Sequence, residues 1–556
     1  MAKLPLGIDD FHKLRSEGCY YVDKTDFISE LLKNVFEVNL ITRPRRFGKT
    51  LTMSMLGDFL DIRKDSRSDF AGLKICGDEL LCEKWQNQWP VLFLSLKGVE
   101  GIDYEIAYAR LQAVISDICL ENEYLLESGQ VSRLDKEIFS RLLFKTASRE
   151  EVGNSLFTLT RMLNVHYGKQ VVLLIDEYDV PLAKASESGY YAEMMDVIRA
   201  MLSKALKTNR FLKFALVTGC LKIAKESIFT GTNNFVSDTI SDDRFDEYMG
   251  FTERDVQKIL SDTGFTNHAD EVRTWYDGYR FGSVDVYCPW DVLSHVAALQ
   301  ENPGKTPQNY WEATSHNGII YHFISRDDFE VNNKFEILLN GGHLIETITA
   351  DLTYDNIEST EENLWSLLYL TGYLTRAEEA EKNLTLKPRQ IALRIPNEEV
   401  KSIFKKAVVE WFNASVKTAD RTVLFAAMWN GDVRKAQQLI SDLLFTTISY
   451  HDYKESYYHA FTAGLFAGAG YIVESNYEHG NGRPDVIVKD KKNRSVMVIE
   501  IKHASSEAQL LPECNKAIRQ MQDRKYLTGF DRGYRTIIGY GIAFYEKECM
   551  LKNGNV

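Results

Sequence analysis

Residues Asn39 to Thr50 read Asn-Leu-Ile-Thr-Arg-Pro-Arg-Arg-Phe-Gly-Lys-Thr, an apolar strand running into a basic turn that closes on Gly48-Lys49-Thr50. Helical spacing of Leu51, Met53, Met55, Leu56 and Phe59 follows. A strand, a glycine-ended turn and a helix in that order bring backbone N–H groups and a helix N-terminus to one point. There they suit an anion, a lysine reaches β- and γ-phosphates, and a hydroxyl holds Mg2+. The general loop G-x-x-x-x-G-K-[ST] has glycine where this chain has Arg43. On these residues alone, a basic turn before a helix therefore stays open beside a phosphate-binding loop.

A second stretch narrows the choice. Val171-Val172-Leu173-Leu174-Ile175 is apolar without alternation, as in a strand buried on both faces of a parallel sheet, and it ends in Asp176-Glu177-Tyr178-Asp179. Asp176 would hold Mg2+ directly or through water, and Glu177 would polarise an attacking water. Phe214 to Gly219 reads as another buried strand whose polar end, Thr218, is placed to sense a γ-phosphate, with Lys222 nearby. Pro90 to Leu96 supplies a further strand, while 103–166 and Tyr191 to Lys207 read as helical. Strands alternating with helices predict an α/β doubly wound sheet with ligand at the strands' carboxyl ends.

Length and charge bound the rest. At 556 residues the chain should hold about three domains of roughly 150 residues. A net charge of −13 gives no general attraction to nucleic acid or an anionic membrane, so any such contact needs a local basic surface. The eight cysteines are scattered without a C-x-x-C pair, which predicts reduced thiols in a cytoplasmic protein rather than a disulfide frame or a zinc site. The start lacks an apolar leader core and no apolar run reaches 18 residues, which argues against secretion or membrane insertion.

Residues 1–36 carry Tyr21-Val22-Asp23-Lys24-Thr25 just before the first strand; they read either as a flank for a base or ribose or as an ordinary edge segment. In 236–300 the aromatics of Trp275-Tyr276-Asp277-Gly278-Tyr279-Arg280-Phe281 and Tyr287-Cys288-Pro289-Trp290 read as the core of a lid or winged-helix-like segment ahead of base stacking, with Arg280 as a phosphate contact. From 301 to 447 a mostly helical connector is expected. Its helices run Trp311 to Tyr321, Leu364 to Leu374, Glu398 to Phe412 and Val423 to Leu444, with a hairpin at Leu384 to Arg394 and a solvated acidic patch at Glu378, Glu379 and Glu381.

Residues 448–556 read helix, strand, strand, strand, helix, strand. Pro484-Asp485 opens one strand and Glu500-Ile501-Lys502 ends the next; Glu500 and Lys502, two apart, share a face. Two carboxylates and an ammonium packed together are costly without a compensating ion. A divalent cation on Asp485, Glu500 and the Ile501 carbonyl would offset that, activate water and neutralise charge on a cleaved phosphodiester, with Lys502 orienting or deprotonating the water. Basic residues close by, among them Lys491, Lys492, Arg519 and Lys525, read as a phosphate-backbone track rather than a solvated face.

Taken together, Tyr21 to Thr25, Arg43 to Thr50, Asp176 to Asp179, Thr218-Gly219-Cys220 and Lys225 to Phe229 resemble a bacterial family that joins an N-terminal AAA-ATPase-like domain to a C-terminal nuclease-like domain of the PD-(D/E)XK type. In that family the loop is similar to R-P-R-R-F-G-K-[ST], so Arg43 departs only from the general motif. The resemblance implies ATP as the nucleotide, held by Arg45, Arg46, Phe47, Gly48, Lys49, Thr50 and Leu51 with Asp176 and Thr218, and Mg2+ on Thr50 and Asp176. It implies Mg2+ or Mn2+ in the second site, where Glu455 matches an additional acid and Gln520 or Gln522, with Tyr526, a glutamine-containing helix; Gln520 is favoured. The domain expectation is an ATPase at 1–235, a lid at 236–300, a connector at 301–447 and a nuclease-like domain at 448–556. The functional expectation is an ATP-hydrolysing, metal-dependent nuclease acting on DNA, in defence or mobile-DNA processing. The alternative is a regulatory ATPase switch whose nuclease-like domain only binds nucleic acid or a partner. AAA-like ATPases often assemble so that a neighbour's arginine completes the site, which makes a homo-oligomer part of the expectation.

Overall fold

The apolar run at 171–175 cannot face water on either side, and in the computed structural model it forms a strand buried along its whole length. The structure describes the chain except residues 1, 35, 223–234, 312–319, 321–331, 351, 353, 355–356, 358, 383, 408–421, 447–454, 469–470, 476–481, 529, 531–532 and 555–556. It divides into two compact units, residues 1–315 with 345–400, and 316–344 with 401–556.

In the first unit β1 (Val38–Thr42), β2 (Val91–Ser95), β3 (Val171–Asp176), β4 (Leu212–Gly219) and β5 (Phe235–Asp238) form an all-parallel sheet in the order β2-β3-β4-β1-β5. Alternate residues feed two cores. Leu40, Leu94, Leu173, Ile175 and Val217 pack on one side with helices Tyr104–Glu121, Ser155–Tyr167 and Tyr191–Leu206. Ile41, Val172, Leu174, Phe214 and Leu216 pack on the other with Asp26–Lys33 and Lys49–Leu60. Each such side chain contributes about 1.5–3 kcal/mol by burial, so the sheet is the stable frame on which its loops are held.

The segment 103–166 is not one helix. Caps at Asp103, Ser132 and Ser148 start separate helices, the last closed by a reciprocal Ser148–Glu151 capping box. After β5 come helices Glu253–Thr263 and Ala269–Tyr276, a hairpin of β6 (Tyr279–Phe281) and β7 (Val284–Val286), and helix Pro289–Glu301. Tyr276, Tyr279, Phe281 and Tyr287 are buried, so these aromatics are core.

A small sheet follows in the order β8-β10-β9, built from β8 (Leu344–Thr347), β9 (Thr375–Arg376) and β10 (Gln390–Arg394). The expected hairpin at 384–394 thus contributes one strand, paired with distant segments. Glu381 is not solvated: it pairs with Arg376 and accepts from the Ala392 N–H. The helix expected at Trp311 to Tyr321 lies almost wholly outside the described residues, as does the end of that at Glu398 to Phe412, which is helical over 398–407. Val423 to Leu444 breaks at Gly431, φ 76°, into Thr422–Trp429 and Val433–Thr446.

In the second unit the sheet order is β11-β12-β13-β14-β15, from β11 (Ile472–Ser475), β12 (Val486–Asp490), β13 (Ser495–His503), β14 (Thr536–Tyr545) and β15 (Glu548–Asn553). Only β13 and β14 run parallel, across the crossover helix Leu510–Asp523. The final strand β15 was not expected from the sequence; its short alternation, with Cys549 and Leu551 buried, is the signal that marks it. All eight cysteines are free, and no helix among the described residues is long and apolar enough to cross a membrane.

Candidate active sites

At the carboxyl ends of β1, β3 and β4 the loop 43–48 turns into helix Lys49–Leu60. The positive φ angles fall at Arg46 (75°) and Gly48 (82°), not at residue 43, so no glycine is needed there. Arg43 is fully buried and its guanidinium donates to the carbonyls of Thr42, Asp238, Arg244 and Phe245, tying the loop to β5 and the turn beyond it. Burial lowers its pKa to about 10. An anchoring side chain thus stands where the general motif has glycine.

Lys49 is buried, and its ammonium donates to the carbonyls of Arg43 (3.1 Å) and Pro44 (3.0 Å). Because β4 lies between β1 and β3, Asp176 receives a hydrogen bond on each carboxylate oxygen: from the Thr50 hydroxyl at 2.8 Å and the Thr218 hydroxyl at 2.6 Å. Burial raises the Asp176 pKa, and these two hydroxyls oppose the rise. Glu177 follows in the left-handed region at φ 55°, which turns it away from the strand line. Asp179 accepts from the N–H groups of Cys220 and Leu221 at 3.0 Å each, closing the floor of the site. A hydroxyl and a carboxylate side by side at the loop's helix are the donor set for Mg2+ beside a nucleotide, so Thr50 and Asp176 fit that role.

Other expected loop residues have different work. Phe47 is buried against Tyr279 and Phe281, both at 5.0 Å between ring centroids, and Arg46 stacks on Trp290 at 4.2 Å. The Phe47 ring joins the loop to β6 and Arg46 joins it to helix Pro289–Glu301, leaving Phe47 only its backbone to offer a phosphate. Arg45 is exposed and Leu51 packs under the loop. Arg280 ion-pairs with Asp285 and Glu378. In 21–25, Asp23 caps Thr25 and accepts from the Lys74 N–H, while Lys24 pairs with Asp255, so this motif clasps the first unit together. Lys225 to Phe229 lie outside the described residues.

In the second unit the antiparallel register pairs Val486 with Ile499, which sets Asp485 level with Glu500. The Asp485 carboxylate accepts from the Ile501 N–H at 2.7 Å. The Lys502 ammonium lies 3.1 Å from Glu500 Oε1 and 2.9 Å from the Ile501 carbonyl. Asp485, Glu500, Ile501 and Lys502 are thus gathered where β12 begins, beside the end of the central strand β13. Glu500 is 1% exposed and its Oε2 has no hydrogen-bond partner among the described residues. Burial, with Asp485 beside it, pushes the Glu500 carboxyl up to about 7. An orphaned carboxylate oxygen next to a second carboxylate and a backbone carbonyl is an all-oxygen donor set that fits a hard divalent cation. No group of three or more His, Cys, Asp and Glu side chains placed to hold a metal ion is found among the described residues, which do not include the Glu455 side chain.

Tyr526 is buried, with its hydroxyl on the Arg483 carbonyl at 3.3 Å, so it steadies the turn into Pro484-Asp485 rather than touching the carboxylates. Gln520 is half-buried on helix Leu510–Asp523 and Gln522 is exposed; the Gln520 amide makes no hydrogen bond among the described residues. Glu455 opens helix Glu455–Gly468, its side chain outside the described residues. His459, which sequence reasoning missed, bonds through Nε2 to the Asp485 carbonyl; its place one helical turn after Glu455 was the available signal. Of the basic track, Lys489 pairs with Glu474 and Lys516 with Glu513, while Lys491, Lys492, Arg519 and Lys525 are exposed.

Comparison with known proteins agrees with this division. The family described as predicted AAA-ATPase matches residues 5–229, and the PD-(D/E)XK nuclease superfamily matches residues 453–554. The chain is also 26% identical over 563 aligned residues, covering 97% of it and 98% of the relative, to an "Uncharacterized protein in vnfD 5'region" of Azotobacter chroococcum mcd 1. The chain joins an AAA-ATPase-like domain to a domain of the PD-(D/E)XK nuclease superfamily.

Proposed function

We propose that this protein is an ATP-hydrolysing, metal-dependent nuclease that cleaves phosphodiester bonds of DNA, in defence or mobile-DNA processing. The buried Glu500 Oε2, without a hydrogen-bond partner among the described residues, carries the reading, because a hard cation there would satisfy it together with Asp485 and the Ile501 carbonyl. Mg2+ or Mn2+ held there by Asp485, Glu500 and the Ile501 carbonyl would supply Lewis-acid chemistry for phosphodiester hydrolysis. Asp485 and Glu500 supply its anionic ligands, and the Ile501 N–H holds the Asp485 carboxylate in place. Lys502, its ammonium held by Glu500 and the Ile501 carbonyl, orients a water. In the first unit Lys49 and the loop bind ATP, Thr50 and Asp176 hold its Mg2+, Glu177 directs the attacking water, and Thr218 reports the γ-phosphate through Asp176.

The test is incubation of the purified chain with circular and linear DNA, with and without ATP, Mg2+ and Mn2+. Cleavage should require metal and fall at least ~100-fold in Asp485→Ala and Lys502→Ala. No cleavage of any DNA or RNA under these conditions, with binding retained, would replace this reading by a switch whose second domain only binds.

A further inference from the structure

We propose that the first unit carries a second nucleic-acid contact, a basic groove at the amino ends of the parallel strands, opposite the nucleotide loop. The proposal rests on the reading above that the chain handles nucleic acid. The groove has a volume of about 830 Å³ and is entered where β1, β3 and β4 begin, at Glu37, Gln170 and Leu212. A strand of five or six residues is roughly 17–20 Å long, so the groove lies about that far from Lys49.

Its walls hold four cations, Lys33, Lys84, Arg210 and Lys213, against one carboxylate, Glu37, in a chain whose net charge is −13. Three separate elements supply them: the end of helix Asp26–Lys33, the end of helix Glu79–Trp85, and the turn into β4. The helix ends account for lysines at 33 and 84 through the macrodipole, but Arg210 and Lys213 come from the strand entry. Lys213 lies 5.5 Å from the Trp85 ring and 4.7 Å from that of Trp89, and Lys84 lies 5.6 Å from Trp85. The indoles of buried Trp85 and half-buried Trp89 thus lie beneath two ammonium groups, Lys213 half-buried and Lys84 exposed. Lys33 has only a 4.0 Å approach to Asp78. Cations spread along a groove suit the repeating charge of a phosphodiester strand better than a single phosphate, which needs converging donors.

The experiment measures anisotropy of labelled single-stranded DNA, duplex DNA and RNA with the full chain in EDTA, across a series of salt concentrations. Lys84→Glu/Arg210→Glu should bind at least ~10-fold more weakly, with a salt slope shallower by about 1.5 for two lost contacts. A pair with the same net charge, Arg133→Glu/Lys145→Glu, should bind as the wild type does. Wild-type binding with the same affinity and slope in both pairs overturns the groove and leaves the nuclease reading standing. No binding of any nucleic acid by the wild type, in EDTA or with Ca2+ in its place, overturns both.

Discussion

Asp179 shows how a single side chain sets a pH dependence. It is fully buried between two backbone N–H groups, and burial, with Glu177 beside it, raises its carboxyl to about 6. A raised pKa means the folded state favours the protonated form, so this stabilisation is complete below the unfolded value near 3.8 and is lost as pH rises through about 6. Asparagine can accept the same two N–H groups without a charge. Asp179→Asn should therefore gain on the order of 2–3 kcal/mol at pH 7.5 without nucleotide, and the gain should shrink towards pH 5, as urea unfolding at both pH values would measure. Arg43 makes the opposite case, a charge whose removal is costly. Restoring the general motif with Arg43→Gly strips four backbone carbonyls of their donor and should destabilise by about 3 kcal/mol while weakening ATP binding, read by denaturation and nucleotide titration.

At the level of elements, the second site depends on how closely one helix and one strand approach. Gly541 on β14 leaves room for helix Leu510–Asp523: a Cβ there would lie 2.9 Å from Ile518 Cδ1 and 3.0 Å from the Cys514 carbonyl. Gly541→Val should overpack this face by about 1–3 kcal/mol and lower cleavage, since β14 supports β13 and hence Glu500 and Lys502. Ala504→Gly loosens instead of crowding, because it removes a buried methyl from the small cluster that Ala504 forms with Leu510, Cys514 and Ala543. Thermal unfolding and cleavage of the two variants side by side would separate the effect of crowding from that of general loosening. The register of β12 on β13 was legible in part, because a proline-aspartate turn and a glutamate two before a lysine fix which faces they share. His459 was not legible, because its partner is a backbone carbonyl 26 residues away.

For the molecule in its entirety, two candidate sites of different residue chemistry sit on separate sheets of one chain. If ATP turnover switches the nuclease, Glu177→Gln should still bind ATP yet release phosphate at least ~100-fold more slowly, and the ATP-dependent part of DNA cleavage should disappear while the ATP-independent part persists. Phosphate release and cleavage assayed on one preparation would test this. The strand–loop–helix at Asn39 to Phe59, the acidic end of β3 and the P-D…E-x-K edge could all be read from the amino acids, because each rests on periodicity and side-chain chemistry within a few residues. Three other features emerged only from the folded chain. In it β4 enters between β1 and β3 to set Thr218 on Asp176, Arg43 anchors the loop from beneath, and β15 completes the second sheet. Those are pairings between residues far apart along the chain, and local pattern carries no record of which distant strand becomes a neighbour.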